Sequence, residues 1–508
     1  LMKRSPNPAE FHTSHPAMNR SRAFILSVLL LVLASTLQLH AAEPSAQLPN
    51  FLVILTDDQS WVGTSLLMDP ANPDTKSDYL QTPNIDKLAS SGMRFTYGYA
   101  SGAWCTPTRR SIQCGKGPQQ HIYNNAKDGN ESQFANGMSI PRALKQVNPA
   151  YACAHFGKWH LQYASVTPET LGYDVSDGDT NNEDGDLAGQ PDAAVTKSKT
   201  SKNTPDVWED PKTIFSLTKR TGDFIDAQSK AGNPWFVQLS HYAVHLKIGY
   251  RQGTLDALQS RPLGKKHAVP EFAAMTEDLD TGIGELMARL KSMGVLSNTY
   301  IIFLSDNGGR GKIPVEGKAD RSTLPTNYPL AESKHSIYEG GLRVPFAIIG
   351  PGIASGAVSA VPVSGVDILP TIADFAGHDA GLGEGLDGGS FKDVALGKAV
   401  AVKRAHEFLV TESEGRERLR NTENAKPSDF KAALHRGDYK LIKLYGGAGD
   451  GQKELYNLAE DIGEDHNLID SMGARAAELE NALDDYLYSV GGMTKSEGGR
   501  SRRKISKE

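Results

Sequence analysis

Cysteine is scarce in this chain of 508 residues, three in all, and aromatic residues make up only 7%. No dense disulfide framework is available, and none is needed at a length that allows roughly three domain-sized units, or one large α/β domain with an addition. Charge of one sign is lacking too. The 54 Lys and Arg face 60 Asp and Glu, a net −6, and no basic stripe rises above that background to hold a nucleic acid. An anion bound by this protein must therefore be met by local groups. With 39% hydrophobic and 22% charged residues, the chain is neither disordered, nor collagen-like, nor a multi-span membrane protein.

Long apolar runs are nearly absent. Residues 23–34 form the exception, preceded by the basic Asn19-Arg20-Ser21-Arg22 and followed by Leu39-His40-Ala41-Ala42. The run is short of the ~20 residues that span a bilayer, and its flanks are those of a secretory signal peptide cleaved near Ala41. Met18 is the expected start, residues 1–17 lying upstream of it. No Cys follows that would carry a lipid, so the protein is expected to be exported, to the periplasm or outside the cell, without a stable membrane anchor. Residues 1–41 carry Lys3, Arg4, Arg20 and Arg22 against Glu10, a sum of +3, so the mature chain stands at −6 − 3 = −9.

What the chain does have is a series of short apolar runs alternating with helical patterns, the mark of a mainly parallel sheet covered by helices. Phe51-Leu52-Val53-Ile54-Leu55 leads into Asp57-Asp58, and Tyr300-Ile301-Ile302-Phe303-Leu304 into Asp306-Asn307. Tyr151-Ala152-Cys153-Ala154 leads into Gly157-Lys158-Trp159-His160, and Trp235-Phe236-Val237-Gln238-Leu239 into His241 and His245. In open α/β sheets the carboxyl ends of the strands line the ligand crevice. These four segments are therefore expected to meet at one site.

Between them, Thr82-Pro83 reads as N-cap and first residue of a helix that stops at Gly92. Met275, Leu279, Ile283, Leu286, Leu290 and Met293 form one apolar helical stripe. Residues 174–212 read as a long solvated surface insertion. Within it Asp177, Asp179 and Asn181 imitate a calcium loop, but Asn182 stands where such a loop needs Gly. Gly383-Glu384-Gly385-Leu386-Asp387-Gly388 fits a dinucleotide fingerprint in letters only, since no strand precedes it.

Asp57, Asp58, Asp306 and Asn307 offer three carboxylates and an amide, hard oxygens suited to Ca²⁺ or Mg²⁺ and not to zinc. In Cys105-Thr106-Pro107-Thr108-Arg109, Thr106 can cap and Pro107 open a helix, which puts Cys105 at a helix N-terminus beside Arg109.

The pattern C-x-P-x-R resembles the signature of the sulfatase family, in which the Cys is oxidised by a separate formylglycine-generating enzyme. Gly157-Lys158-Trp159-His160, Val244-His245, Ser305-Asp306-Asn307-Gly308 and Ser333-Lys334, followed by Tyr338-Glu339-Gly340-Gly341-Leu342-Arg343-Val344-Pro345, look like sulfatase motifs in the family's order. With Leu369-Pro370-Thr371 and Leu386-Asp387-Gly388, the likeness covers residues 50 to about 395. Two positions depart from it: Val244 where the family often has Pro, and Cys114-Gly115 where it often has Thr-Gly.

The resemblance implies an alkaline-phosphatase-like α/β fold, a large mainly parallel or mixed sheet between helices, with a smaller C-terminal antiparallel sheet plus helix. It makes Cys105 the formylglycine nucleophile. Asp57, Asp58, Asp306 and Asn307, together with residue 105, become ligands of one divalent cation, calcium by family habit and magnesium as the other choice. Arg109, Lys158, His160, His245 and Lys334 would line the sulfate pocket, with His245 protonating the departing alcohol and His160 taking the proton that frees sulfate. The expected substrate is a sulfated small molecule or glycan. The alternatives are a phosphate or phosphonate ester hydrolase of the same superfamily, and a non-catalytic binder of sulfated glycans. His241 is set aside as a structural or rim residue, and Trp104, His121 and Tyr242 are expected to contact the leaving group.

The expected organisation is a catalytic domain over 42–395, a smaller α+β subdomain over 396–490 and a disordered basic tail over 491–508. Within the subdomain, residues 405–411 and 435–445 read as strands, 454–458 as a turn-containing link and 476–487 as a helix. Cys114 and Cys153 are expected to be buried thiols rather than a disulfide.

Overall fold

The computed structural model describes residues 47–121, 130–186, 205–315, 321–413, 430–445, 451–490, 493–495 and 501–503. The expected signal peptide lies outside them. Among the described residues no helix is long and apolar enough to cross a membrane.

The strands of the main sheet are β1 (Asn50–Thr56), β2 (Met93–Phe95), β3 (Ala152–Gly157), β4 (Val175–Ser176), β5 (Trp235–Ser240), β6 (Thr299–Ser305), β7 (Phe346–Ile349) and β8 (Ala357–Ser359). They lie in the order β8-β2-β7-β6-β1-β5-β3-β4. From β6 to β4 all neighbours are parallel, whereas β7 runs antiparallel to both β6 and β2. The fold is thus the mixed α/β sheet that the sequence led one to expect.

Alternation along the strands divides the core. Leu52, Ile54, Val237, Leu239, Ile301 and Phe303 face the helices α4 (Ile214–Ala231) and α5 (Pro270–Ser292), while Phe51, Val53, Leu55, Phe236, Ile302 and Leu304 face α2 (Cys105–Cys114), α3 (Ile140–Val147) and α6 (Ile368–Ala376). Because both faces are covered, the strands read as continuous apolar runs. The α5 stripe is as expected: Met275, Leu279, Ile283, Leu286 and Leu290 are fully buried, each worth about 1.5–3 kcal/mol of transfer free energy.

Helix α1 (Pro83–Ser90) forms where expected, but its cap comes from elsewhere. Thr82 makes no side-chain cap bond. Instead Asp280 of α5 accepts from the backbone N–H of Asn84 and Ile85 at 3.0 and 2.8 Å, satisfying two of the helix's unpaired donors. Gly92 does not stop the helix but lets another backbone pass, since a Cβ there would lie 2.2 Å from the Ile348 carbonyl.

The smaller sheet comprises β9 (Leu409–Ser413), β10 (Phe430–Arg436), β11 (Tyr439–Tyr445) and β12 (Lys453–Asn457), all antiparallel in that order. Two expectations need correction here. Residues 435–445 are not one strand, because a hairpin at Gly437-Asp438, with Gly437 at φ 59°, divides them. Residues 454–458, read as a link, fall instead largely in the edge strand β12. Helix α7 (Gly473–Ser489) covers one face of this sheet. The other face packs Ala433, Ile442, Leu444 and Tyr456 against Tyr99, Ile337, Tyr338 and Leu342 of the larger sheet's loops. The tail, expected to be disordered, includes a two-stranded ladder between Met493–Lys495 and Ser501–Arg503.

Beside that contact lies a buried charge cluster. Lys440 Nζ sits 2.8 Å from Glu339 Oε1 and 2.9 Å from Glu464 Oε1. Arg343 Nε donates to Glu339 Oε2 at 2.7 Å, Tyr99 Oη to the same oxygen at 3.0 Å, and the Glu339 N–H to Glu464 Oε2 at 2.7 Å. Two acids meet two bases, so buried charge is neutralised where the smaller sheet grips the segment that follows Lys334.

Candidate active site

Four adjacent strands, β3, β5, β1 and β6, deliver their carboxyl ends to one place. Register makes this possible: Thr56 pairs with Ser305, Leu55 with Ser240 and Gly157 with Ser240, so the residues just beyond emerge side by side. The Asp57 N–H donates to the Ala243 carbonyl at 3.0 Å and the Val244 N–H to the Asp57 carbonyl at 2.7 Å. The loop carrying His245 is thereby tied to the loop carrying the two aspartates.

Close backbone approach demands glycine at two points. A Cβ on Gly157, at φ 92°, would lie 2.0 Å from the Ser240 carbonyl, and one on Gly308 would lie 1.9 Å from that of Gly340. Asp58 and His160 themselves adopt left-handed backbone, at φ 58° and 53°. For residues with a Cβ this costs about 1–3 kcal/mol, and such conformations concentrate at functional sites.

Helix α2 begins at Cys105 itself, with Trp104 as its N-cap residue, two residues earlier than Thr106-Pro107 suggested. Pro107 therefore sits in the first turn, where its missing N–H leaves no intrahelical bond unmade. One turn on, Arg109 shares the face of Cys105. Its Nε and Nη2 meet Asp306 Oδ2 at 2.9 and 2.7 Å, and its Nη1 donates to the Lys158 carbonyl at 2.6 Å. Lys158 Nζ is bonded to Asp57 Oδ2, and Lys334 Nζ to Asp58 Oδ1. The Cys105 Sγ stands 3.4 Å from Lys334 Nζ and 3.6 Å from Asp57 Oδ1. Asn307 Nδ2 donates to Asp58 Oδ1 at 2.8 Å, and the Asp58 N–H to Asp306 Oδ1 at 3.2 Å. Every residue expected from the sequence to bind the cation lies in this cluster.

Three carboxylates balance three cations in a space almost closed to water. Burial alone would push Asp57 up, but Lys158, His245 and Arg109 hold it well below the usual carboxylate range. Against the same burial, Lys334 and His245 bring Asp58 down to about 2. Asp306 moves the other way, raised by burial and by Asp57. Burial, with Asp306 and Asp57 adding to it, pushes the Cys105 thiol up to about 12, so as a thiol it stays protonated at neutral pH. Such displaced groups in one cleft mark a working site.

Ligand atoms of Asp57, Asp58, Cys105 and His245 all lie within 4.8 Å of one another. Asp58 Oδ2 and Asn307 Oδ1 are buried without a hydrogen-bond partner. Unsatisfied buried oxygens are costly, and a hard divalent cation meets that need, so these residues fit one.

The histidines separate by environment. His245 Nε2 is 3.9 Å from Asp58 Oδ2 and its Nδ1 is bonded to the Leu246 carbonyl. His160 meets Gln162 Nε2 at 3.1 Å and Thr106 Oγ1 at 3.5 Å. His241 is fully buried, so it is structural and not on the rim. Two of the expected leaving-group contacts fail. His121 is buried and bonded to Ser111 Oγ at 3.0 Å, beside a separate cavity that it shares with Cys114. Tyr242 is buried against Gly185. Trp104 remains half-buried at the start of α2.

Three contributors lie outside the set expected from the sequence. Thr180, in the supposed solvated loop, accepts at Oγ1 from the Trp159 N–H at 2.9 Å and at its carbonyl from the His160 N–H at 2.8 Å. In the same loop Asp177 accepts from the Gly157 N–H at 2.7 Å and from Arg220 at 2.7 Å, bracing a strand end instead of binding calcium. No local pattern announces these contacts. Arg310, three residues past Asn307, is the third; its Nε lies 3.4 Å from Asp58 Oδ2, and a cation so soon after the Asp-Asn pair is a visible signal. Cys105, Cys114 and Cys153 are all free thiols, Cys153 buried and Cys114 half-buried.

A cysteine at a helix start, ringed by three carboxylates, an amide, two lysines and an arginine at the ends of parallel strands, defines a hydrolase of anionic esters, and the sulfatase family model matches residues 49–378. The chain belongs to the sulfatase family and is a sulfuric ester hydrolase. It is 27% identical to a sulfatase of Formosa agariphila, over 88% of this chain and 89% of that one. It is also 27% identical to the N-acetylgalactosamine-6-sulfatase of Mus musculus, over 69% and 66%. Among solved structures, Ps i-CgsB in complex with a neocarrahexaose superposes at a TM-score of 0.67 with 22% identity, covering 87% and 93%. BT4656 in complex with its substrate D-glucosamine-2-N,6-O-disulfate gives 0.60 with 18% identity, covering 87% and 98%. At those identities the likeness speaks for the fold.

Proposed function

We propose that this chain hydrolyses a sulfate ester on a carbohydrate, releasing the sugar alcohol and inorganic sulfate, after export and after oxidation of Cys105 to formylglycine. The observation that carries the reading is the convergence of Cys105, Arg109, Lys158, His160, His245 and Lys334 on the acid cluster Asp57, Asp58 and Asp306. Relatives and structural neighbours whose ligands are sulfated sugars favour a carbohydrate leaving group. The apolar run at 23–34 with its basic start supports export.

Asp57, Asp58, Asp306 and Asn307, with residue 105, would hold one divalent cation, calcium in preference to magnesium. When present, the hydrated aldehyde supplies the nucleophilic hydroxyl and a second hydroxyl through which sulfate is later expelled, and the cation supplies positive charge against the sulfuryl oxygens. The remaining work falls to this chain's own side chains. Lys158, Lys334 and Arg109 offset the acids so that an anion can approach, in a pocket dry enough for those charges to act strongly. Arg109, fixed by Asp306 and the Lys158 carbonyl, orients residue 105. His245, near the solvent side, gives a proton to the departing alkoxide oxygen, and His160, held by Gln162 and Thr106, takes the proton whose loss frees sulfate.

The test is turnover by purified, matured protein on sulfated sugars, sulfated steroids and aryl sulfates, alongside peptide mass spectrometry of residue 105. Release of sulfate from a sugar, with residue 105 present as the aldehyde, is expected. An active preparation whose Cys105 remains entirely thiol refutes the mechanism, and phosphate esters turned over faster than matched sulfates refute the substrate class.

A further inference from the structure

Among the described residues, the sulfate pocket holds three cations each bonded to a carboxylate, Arg109, Lys158 and Lys334, and a fourth that is not. Arg310 stands at the mouth, its side chain 35% exposed. Its Nε approaches Asp58 Oδ2 at 3.4 Å but forms no hydrogen bond, and that nitrogen is buried without a partner. A guanidinium carries five donors in a planar fork suited to sulfate or carboxylate; among the described residues its one carboxylate neighbour is Asp58, and no hydrogen bond to a carboxylate uses it.

The backbone that presents it is fixed. The Gly309 carbonyl, one residue before, accepts from the Lys334 N–H at 3.0 Å and from Asn327 Nδ2 at 2.9 Å, and a Cβ on Gly309 would lie 2.7 Å from the Ser60 Cβ. Arg310 thus rides on the loop that positions Lys334. The small cavity it borders is lined also by Gln59, His267, Phe272 and Thr326, among which His267 is held neutral by its burial. Charge points the same way. Asp57, Asp58 and Asp306 against Arg109, Lys158 and Lys334 sum to zero, so Arg310 adds +1, and the proposed cation would bring the site to +3. A scissile sulfate monoester supplies −1. Asp58 is also claimed by that cation, so Arg310 is not needed to neutralise it.

We infer that Arg310 is a specificity-determining residue that binds a second anionic group, a sulfate or carboxylate, carried by the substrate next to the ester being cleaved. This rests on the sulfatase reading and narrows it to substrates bearing at least two negative groups close together. No bond is made or broken at Arg310; the contact is an ion pair with bidentate hydrogen bonds.

The experiment measures binding by calorimetry to the full chain with Cys105→Ala, which cannot turn over, with and without Arg310→Gln. The probes are phenyl sulfate, salicyl sulfate and catechol disulfate, and the sugar pair glucosamine 6-sulfate and glucosamine 2-N,6-O-disulfate. In the Cys105→Ala protein at least one doubly anionic probe should bind tenfold or more tightly than its singly charged partner. Arg310→Gln should bring that ratio to within about threefold of one, with the far-UV and near-UV spectra unchanged, whereas Arg310→Lys should retain part of it. Gain with the carboxylate alone, or with the second sulfate alone, identifies the anion. A ratio near one in the parent, or a ratio that survives Arg310→Gln, overturns the inference while leaving the sulfate pocket standing, as binding of phenyl sulfate would show. If neither phenyl sulfate nor any other probe binds, the inference and the sulfatase pocket as drawn both fall.

Discussion

Lys440→Met tests whether the smaller sheet holds the catalytic loop through charge. The ammonium lies 2.8 Å from Glu339 and 2.9 Å from Glu464, and all three side chains are at most 2% exposed. At an effective dielectric constant of ~20 each such contact is worth about 6 kcal/mol, against which stands the cost of desolvating the ammonium. Deleting it leaves Glu339 with Arg343 and strands Glu464, whose carboxyl burial already raises to about 7, so that this acid must be buried either charged and unpaired or protonated; breaking a buried pair in this way costs about 3–5 kcal/mol. Methionine keeps most of the volume, so the loss is electrostatic. Urea denaturation followed by tryptophan fluorescence, with sulfatase activity read in parallel, should show that loss, and activity should fail at or before the fluorescence midpoint because the gripped segment directly follows Lys334. Lys440→Met combined with Glu464→Gln removes one charge of each sign and should recover at least about 1.5 kcal/mol. A single variant that loses less than about 1 kcal/mol, or a double variant no better than the single, would show that the cluster contributes packing and not charge balance.

Acid should destabilise the fold through buried neutral histidines. Burial brings His155 and His121 from 6.5 down to about 3, so below pH 6.5 the unfolded chain takes up protons that the native state refuses, and stability is lost as pH falls from 6.5 towards 3; at pH 5 this amounts to about 2 kcal/mol per ring relative to pH 7.5. Urea midpoints that stay level between pH 7.5 and 5 would contradict it. Asp306→Ala should lose both activity and the single ion per chain seen by elemental analysis, and full activity of the parent after exhaustive chelation would exclude the metal site. His245→Ala should lose far more rate on an alkyl or sugar sulfate than on a nitrophenyl sulfate, because protonation matters most for a poor leaving group, whereas His160→Ala should lose similar amounts on both in single-turnover assays; the opposite pattern reverses their roles.

Sequence was most informative where chemistry and periodicity coincide. The runs before Asp57, Lys158, His241 and Asp306 are apolar on both faces because helices cover both sides of the sheet, and each gives way to polar residues because strand ends open on the crevice. The meeting of those four strand ends is legible from that alternation; Cys105, Arg109 and Lys334 are legible only through the resemblance to sulfatase motifs. Long-range contacts are not. Nothing local tells that Asp280 caps α1, that Thr180 braces His160, or that His121 turns away from the mouth to meet Ser111. Strand β12 reads as a link because Glu454, fully buried, is a poor strand former on its own, and its place is set by pairing with β11 and by the Tyr338 hydroxyl bonded to it. Tertiary partners override propensity there.

The family match ends at residue 378, yet Lys440, Glu454 and Glu464 act on Tyr338 and Glu339 from well beyond it. The stretch that relatives share most recognisably is therefore not a self-sufficient engine. Its loop is anchored by a partner encoded later in the chain, so a graft that exchanges the C-terminal quarter between relatives must carry residues 338–343 with it, and an acid gained at one side of that seam is tolerable only with a base gained at the other. Divergence across the seam is constrained to proceed in pairs, as it is where Glu480 and Asp484 of α7 meet Lys443 and Lys453 of the smaller sheet.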